Sequence, residues 1–317
     1  MVKKNRAYQG PPTTTPSIAF MPGKNQGGCK LIITNKLGLP QAFVEMAKKD
    51  HICEPNEYRV TSLLKGIREC ILERRHQHEI EQDVSDMIWL LFGTAVHGVL
   101  EHHKEADNEI KESRIKIPVG DYILSGQFDL YNAETQTITD YKTCSVWKII
   151  YGDFEDWRRQ LLIYAYMMRS IGFQVNQGEI IAIMRDHSKR DAKYKADYPQ
   201  SPVAKITFKF TEQDFTDIEL WLNQKFAEIA EAEKLPDDEL PLCTPEERFN
   251  SGDKFAVMKK GRKTALRVLD SMEEAEEWKE KNGGDSIEIR PGEDKKCIDY
   301  CNVCEFCNYY KEKVIAN

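Results

Sequence analysis

The chain has 317 residues, 41% hydrophobic and 31% charged. That is enough apolar content for a buried core and rules out wholesale disorder. A formal charge of −7 excludes a general nucleic-acid coat, which would be strongly basic, but leaves room for a local basic channel. The nine cysteines are an odd number in a chain too long to need disulfide staples. No apolar run approaches the roughly 18–20 residues of a membrane span. The basic start of the chain is not followed by an apolar segment, so no secretory signal is read. A cytoplasmic, reducing location is expected, where clustered cysteines bind metal more often than they pair.

Residues 1–28, rich in Gly, Pro, Thr and Lys, are expected to form a flexible arm. Helical pieces are predicted over 40–106. Thr61 and Ser62 are placed to cap a helix through Leu63, Leu64, Ile67 and Ile71, and a longer helix is predicted over 84–106. Three strands follow, 114–119, 122–131 and 137–143, separated by turns at 120–121 and 132–135; they read as an antiparallel meander. A helix over 154–171, strands over 179–184 and 203–210, and an acidic helix over 211–235 complete a main domain at 29–250. A small unit at 253–291 pairs two strands around a basic tip, Lys259, Lys260, Arg262 and Lys263, then adds a helix over 272–282 and a strand over 286–290. The final segment, 292–317, is expected to pack back on the main domain.

Strand periodicity puts Asp140 and Lys142 on one face, and pairing through the 132–135 turn brings Asp129 toward Asp140. Two carboxylates together repel unless a divalent cation lies between them. A lysine beside such a cation can position a water or hold a phosphate, which is the arrangement metal-assisted phosphodiester hydrolysis needs. An isolated Asp-x-Lys is ordinarily a solvated face, so the companions matter. His97 shares a helix stripe with Gly93 and Glu101 at i, i+4 and i+8, and the glycine is expected to let another backbone come close. Gln160 and Tyr164 are i, i+4 on the helix after the third strand. Arg158 and Arg159 precede them and are available for phosphates. Arg185 and Lys189, after the next strand, either line a substrate path or sit on a charged surface loop. The 259–263 tip likewise either contacts a phosphate backbone or is a solvated hairpin.

Taken in order, Gly-x-x-x-His-x-x-x-Glu, Gly-x-x-Asp, Asp-Tyr-Lys-Thr and Gln-x-x-x-Tyr resemble the PD-(D/E)XK nucleases of the RecB-like exonuclease branch, which includes CRISPR-associated and phage-encoded members. The resemblance covers about residues 60–210 plus the C-terminal cysteines. It implies an α/β, restriction-endonuclease-like αβββαβ core, with an N-terminal helical region and a C-terminal cysteine segment. It also implies a metal-dependent DNA exonuclease; a structure-specific endonuclease and a non-catalytic DNA- or partner-binding module are the alternatives. His97, Asp129, Asp140 and the carbonyl of Tyr141 are implied as ligands of Mg²⁺ or Mn²⁺, Lys142 as the catalytic lysine, and Gln160 and Tyr164 as site or DNA-contacting residues. Glu101 is given a supporting acidic role. DNA is the implied partner, with phage recombination proteins a further one.

Cys297, Cys301, Cys304 and Cys307 lie within eleven residues, and zinc or an iron–sulfur cluster could use them. The resemblance favours a 4Fe–4S cluster held by one upstream and three C-terminal cysteines. Cys70 is then the first upstream choice and Cys53 the next, with Cys304 competing as fourth ligand. Cys29, Cys144 and Cys243 have no partner at ligand spacing and are read as structural. The stretch 211–240 holds ten acidic and two basic residues, so the acidity is local and the remainder sums to +1.

Overall fold

The computed structural model describes residues 32–48, 54–102, 106–111 and 113–315; the expected 1–28 arm and Cys53 lie outside them. The elements in chain order begin with β1 (Ile32–Thr34), α1 (Gln41–Ala47), β2 (Glu57–Arg59), α2 (Val60–Leu63), α3 (Ile67–Arg75), β3 (Glu81–Asp83) and α4 (Ile88–Glu101). Next come β4 (Glu109–Lys111), β5 (Arg114–Val119), β6 (Tyr122–Gln127), β7 (Leu130–Asn132), β8 (Thr137–Cys144), α5 (Val146–Tyr151), α6 (Glu155–Ser170), β9 (Gln177–Met184), α7 (Lys189–Tyr194), β10 (Val203–Lys209) and α8 (Glu212–Ala232). The last are β11 (Lys254–Met258), β12 (Arg267–Leu269), α9 (Met272–Asn282), β13 (Ser286–Arg290) and α10 (Lys295–Asp299).

The fold is α/β, and the expected order of helix, three strands, helix and strand runs from α4 to β9. The central sheet is ordered β10-β9-β8-β7-β4. β8 and β9 pair in parallel, which requires the crossover that α6 supplies. A second sheet, β2-β6-β5, lies beside it. The meander is therefore split. The expected second strand breaks at Phe128 and Asp129: its first half pairs with β5 and β2, and its second half pairs with β8 and β4. Phe128 leaves the ladder to bury its ring, at 1% exposure, in the main core.

The core gathers Leu63, Ile71, Leu124, Ile138, Leu161, Ile163, Met167 and Ile180 beneath the two sheets. Its close packing fixes α6 against β6. A Cβ built on Gly126 would lie 2.6 Å from Cε1 of Tyr164 and 2.9 Å from Val60 Cγ2, so only glycine lets the tyrosine ring seat there. The predicted α8 is present, and Thr211 and Asp214 close it with a reciprocal capping box. The helix expected from Thr61 is instead two pieces. α2 ends after one turn and α3 starts from Gly66 in extended geometry, with no side-chain cap. The reason is that Cys243 Sγ and Glu247 lie against Gly66, where a Cβ would come within 2.7 and 2.8 Å of them.

Residues 254–290 form a small antiparallel sheet, β12-β11-β13, covered by α9 through Ala256, Val257 and Ala275. Among the described residues no helix is long and apolar enough to cross a membrane.

Replacing Gly126 with alanine forces the Tyr164 ring off β6. Overpacking of this kind costs about 1–3 kcal/mol, and a lowered chemical-denaturation midpoint at unchanged slope is the expected result.

Candidate active site

Four elements and one strand break bring the predicted residues together. Leu130 pairs with Thr139, so one step back Asp129 stands opposite Asp140. Freed from the ladder by the break, Asp129 turns its carboxylate along the edge of β8: Oδ2 accepts the Tyr141 N–H at 2.6 Å. Oδ1 lies 3.2 Å from His97 Nδ1, presented by α4. The edge of the Tyr141 ring meets the imidazole at 6.1 Å between centroids. Gly93, one turn before His97, sits close to Thr143; its neighbour is a side-chain hydroxyl rather than the expected backbone, at 3.4 Å from a built Cβ.

Asp140 is 4% exposed. Lys142 Nζ reaches within 2.9 Å of its Oδ2 but aims its hydrogen bond at Gln160 Oε1, 2.8 Å away. The buried Oδ2 consequently accepts no hydrogen bond. Gln160 Nε2 donates to Asp140 Oδ1 at 3.4 Å and to the Tyr164 hydroxyl at 3.2 Å. Helical spacing puts Gln160 and Tyr164 on one side of α6, and both are buried. Burial raises the pKa of Asp140, and the Asp129 carboxylate pushes the same way against Lys142 and His97. His97 is raised above its ordinary value, first by the hydrogen bond to Asp129, with burial opposing. Glu101 is the last residue of α4, and its side chain is not among those described.

The basic residues separate. Arg158 is spent on Asp214, the capping residue of α8. Arg159 lies over the Trp221 ring at 5.5 Å and near Glu155. Both face α8. Arg185 is exposed past the end of β9, its guanidinium 4.7 Å from the Trp89 ring of α4, and Lys189 opens α7 beyond it. Lys259, Lys260, Arg262 and Lys263 are exposed in the β11–β12 turn. Gly126 is the glycine of the Gly-x-x-Asp motif, but its packing against Tyr164, 38 positions away, is not legible in the sequence.

All the described cysteines are free thiols. Cys70 is buried in the main core and Cys144 ends β8. Cys297 belongs to α10, Cys304 to the 3₁₀ turn Cys304–Phe306, and Cys301 and Cys307 pack on the core's rim. The terminal segment docks on α3: Phe306 stacks on His76 at 4.0 Å and Lys296 pairs with Glu69 at 2.5 Å. Among the described residues no three His, Cys, Asp or Glu side chains stand together as a ready donor set for an ion.

No family model matches the chain, and no curated protein does. Solved structures similar to it include the following three. The protein SSO0001 is 18% identical with a TM-score of 0.40, over 58% of this chain and 84% of that one. An alkaline exonuclease from Laribacter hongkongensis is 12% identical with a TM-score of 0.36, over 56% and 90%. A phage-related exonuclease from Haemophilus somnus 129PT is 12% identical with a TM-score of 0.32, over 55% and 95%.

In the metal-free protein the His97–Asp129 pair stabilises the fold below the ordinary imidazole value of 6.5 and is lost as pH rises through the raised one. By NMR the His97 ring should titrate above 6.5, and in Asp129→Asn it should titrate lower than in the parent. An unchanged value in that variant would show that the pair does not form.

Proposed function

We propose that the chain is a divalent-metal-dependent deoxyribonuclease, a phosphodiester hydrolase that degrades DNA from its ends. Its setting would be phage or bacterial recombination or end processing, in the cytoplasm. One observation carries the reading: Asp129 and Asp140 oppose each other beside His97 and Lys142. Two carboxylates so placed repel unless a divalent cation lies between them. The choice of DNA and of ends rests on the ordered motifs and their resemblance to RecB-like exonucleases.

Oxygen donors and one imidazole suit Mg²⁺ or Mn²⁺. His97, Asp129, Asp140 and the Tyr141 carbonyl would hold the ion. Bound there, it supplies Lewis acidity to a phosphoryl oxygen and lowers the pKa of a water. The remaining work belongs to the side chains. Asp140 and Gln160 hold the Lys142 ammonium at the open side of β8, where it can stabilise charge growing on the phosphate. Tyr164 fixes Gln160 from behind. A water oxygen bonds phosphorus as the bond to the 3′ oxygen breaks, leaving a 3′-hydroxyl and a 5′-phosphate. Arg185 and Lys189, exposed past the end of β9, could guide the backbone. The same reading gives the C-terminal thiols a 4Fe–4S cluster, with Zn²⁺ the other occupant they suit.

End-labelled single- and double-stranded DNA with Mn²⁺ or EDTA provides the test. Cleavage should stop in EDTA. Asp140→Ala should lower the rate by about a thousandfold and Lys142→Ala by about a hundredfold, with DNA binding retained. An Asp140→Ala protein that cuts at the parent rate in Mn²⁺ would end the site assignment. Cleavage of circular single-stranded DNA would make the enzyme an endonuclease instead.

A further inference from the structure

We propose that Cys243 is the upstream ligand of a thiolate-bound metal centre completed by the C-terminal cysteines, and that the buried guanidinium of Arg68 balances the negative charge of that centre. Two sulfurs far apart in sequence lie over the first turn of α3. Cys243 Sγ sits against Gly66, within 2.7 Å of a built Cβ, and Cys307 Sγ lies 3.8 Å from Arg68 Nη1. The segment bearing Cys243 is stitched to the segment bearing Cys297. Arg248 donates to the Cys243 carbonyl, its own carbonyl accepts the Lys296 N–H at 3.0 Å, and its guanidinium pairs with Asp294 at 3.1 Å. Asp294, Cys243 and Cys307 all lie near enough to Cys297 for their charges to act on it, so these sulfurs share one neighbourhood.

Arg68 supplies the second observation. It is 5% exposed, and its contacts are the Leu240 and Pro241 carbonyls, the Asn308 side chain and Cys307 Sγ. Among the described residues no carboxylate pairs with it. A buried cation without an anion is costly. Four thiolates around zinc or an iron–sulfur core carry net negative charge and meet that need. Metal is bound by thiolates, so loading would release protons and draw the neighbouring segments together.

Cys70 is poorly placed for the same role. It faces the core, where its charged neighbours are Glu73, Lys65, Lys225 and Arg74. Cys243 escaped the sequence reading because 54 residues separate it from Cys297, and the fold closes that gap.

The full chain should be reconstituted anaerobically with ferrous iron and sulfide, and separately with Zn²⁺, then assayed for bound metal and visible absorption. The parent should hold metal in one of the two arms, which identifies the occupant. Cys243→Ser should lose at least about tenfold of it, and Cys70→Ala should keep the parent amount. Alkylation mapping of the unmutated chain guards against a misfolded variant: Cys243 should label at least about tenfold more slowly when loaded than after chelation. A parent that holds no metal in either arm, loss in Cys70→Ala with retention in Cys243→Ser, or equal labelling of Cys243 in both states would each overturn the proposal. None of these readouts involves DNA, so a loaded protein that cuts no DNA would sink only the hydrolase reading.

Discussion

Two carboxylates face each other where one strand leaves its sheet for the next, and the site is organised around holding them there. Like charges placed directly across a ladder are destabilising. The chain tolerates Asp129 beside Asp140 because each is given a different counterweight. Asp129 is tied to a backbone N–H and an imidazole, and Asp140 to an ammonium. The break at Phe128 makes this possible. In an unbroken strand Asp129 would be held to the pleat, and its carboxylate could not reach along β8 to the Tyr141 N–H. The buried Phe128 ring anchors the bend, so core packing and site geometry are one constraint.

Gln160 shows how that constraint spreads outward. Its amide is used at both ends, accepting from Lys142 and donating to Asp140 and Tyr164. Tyr164 can brace it only because Gly126 leaves room on β6 for the ring. A glycine in the second sheet thereby fixes the position of an ammonium in the first. The arrangement is rigid on the α6 side and more open on the α4 side, where His97 is half-buried and pairs with Asp129. To hold an ion there, His97 would have to be neutral and Asp129 free of its contact with the imidazole.

Much of this was legible in the chain. Period-two spacing put Asp140 and Lys142 on one face, helical spacing paired Gln160 with Tyr164, and the turn at 132–135 implied the approach of Asp129. These are local regularities, and the fold preserves them. What stayed hidden depends on contacts between distant positions. The strand break rests on burial of one ring. Arg158 looked free for phosphate but is claimed by Asp214, which caps a helix 56 residues later. Thr61 looked like a cap, but Cys243 and Glu247 make Gly66 the real start of α3.

The same distinction separates the two cysteine readings. Spacing alone groups Cys297, Cys301, Cys304 and Cys307, and Cys70 was chosen for its place ahead of His97. In the fold, the order of residues along α3 decides which of them meets the terminal segment. Arg68 turns toward Cys307 and Glu69 toward Lys296, while Cys70 is buried in the main core. Arg68, buried and without a carboxylate partner among the described residues, stands beside Cys307. Its charge makes a thiolate centre there electrostatically favourable, whereas the cations around Cys70 share their surroundings with the Glu73 carboxylate.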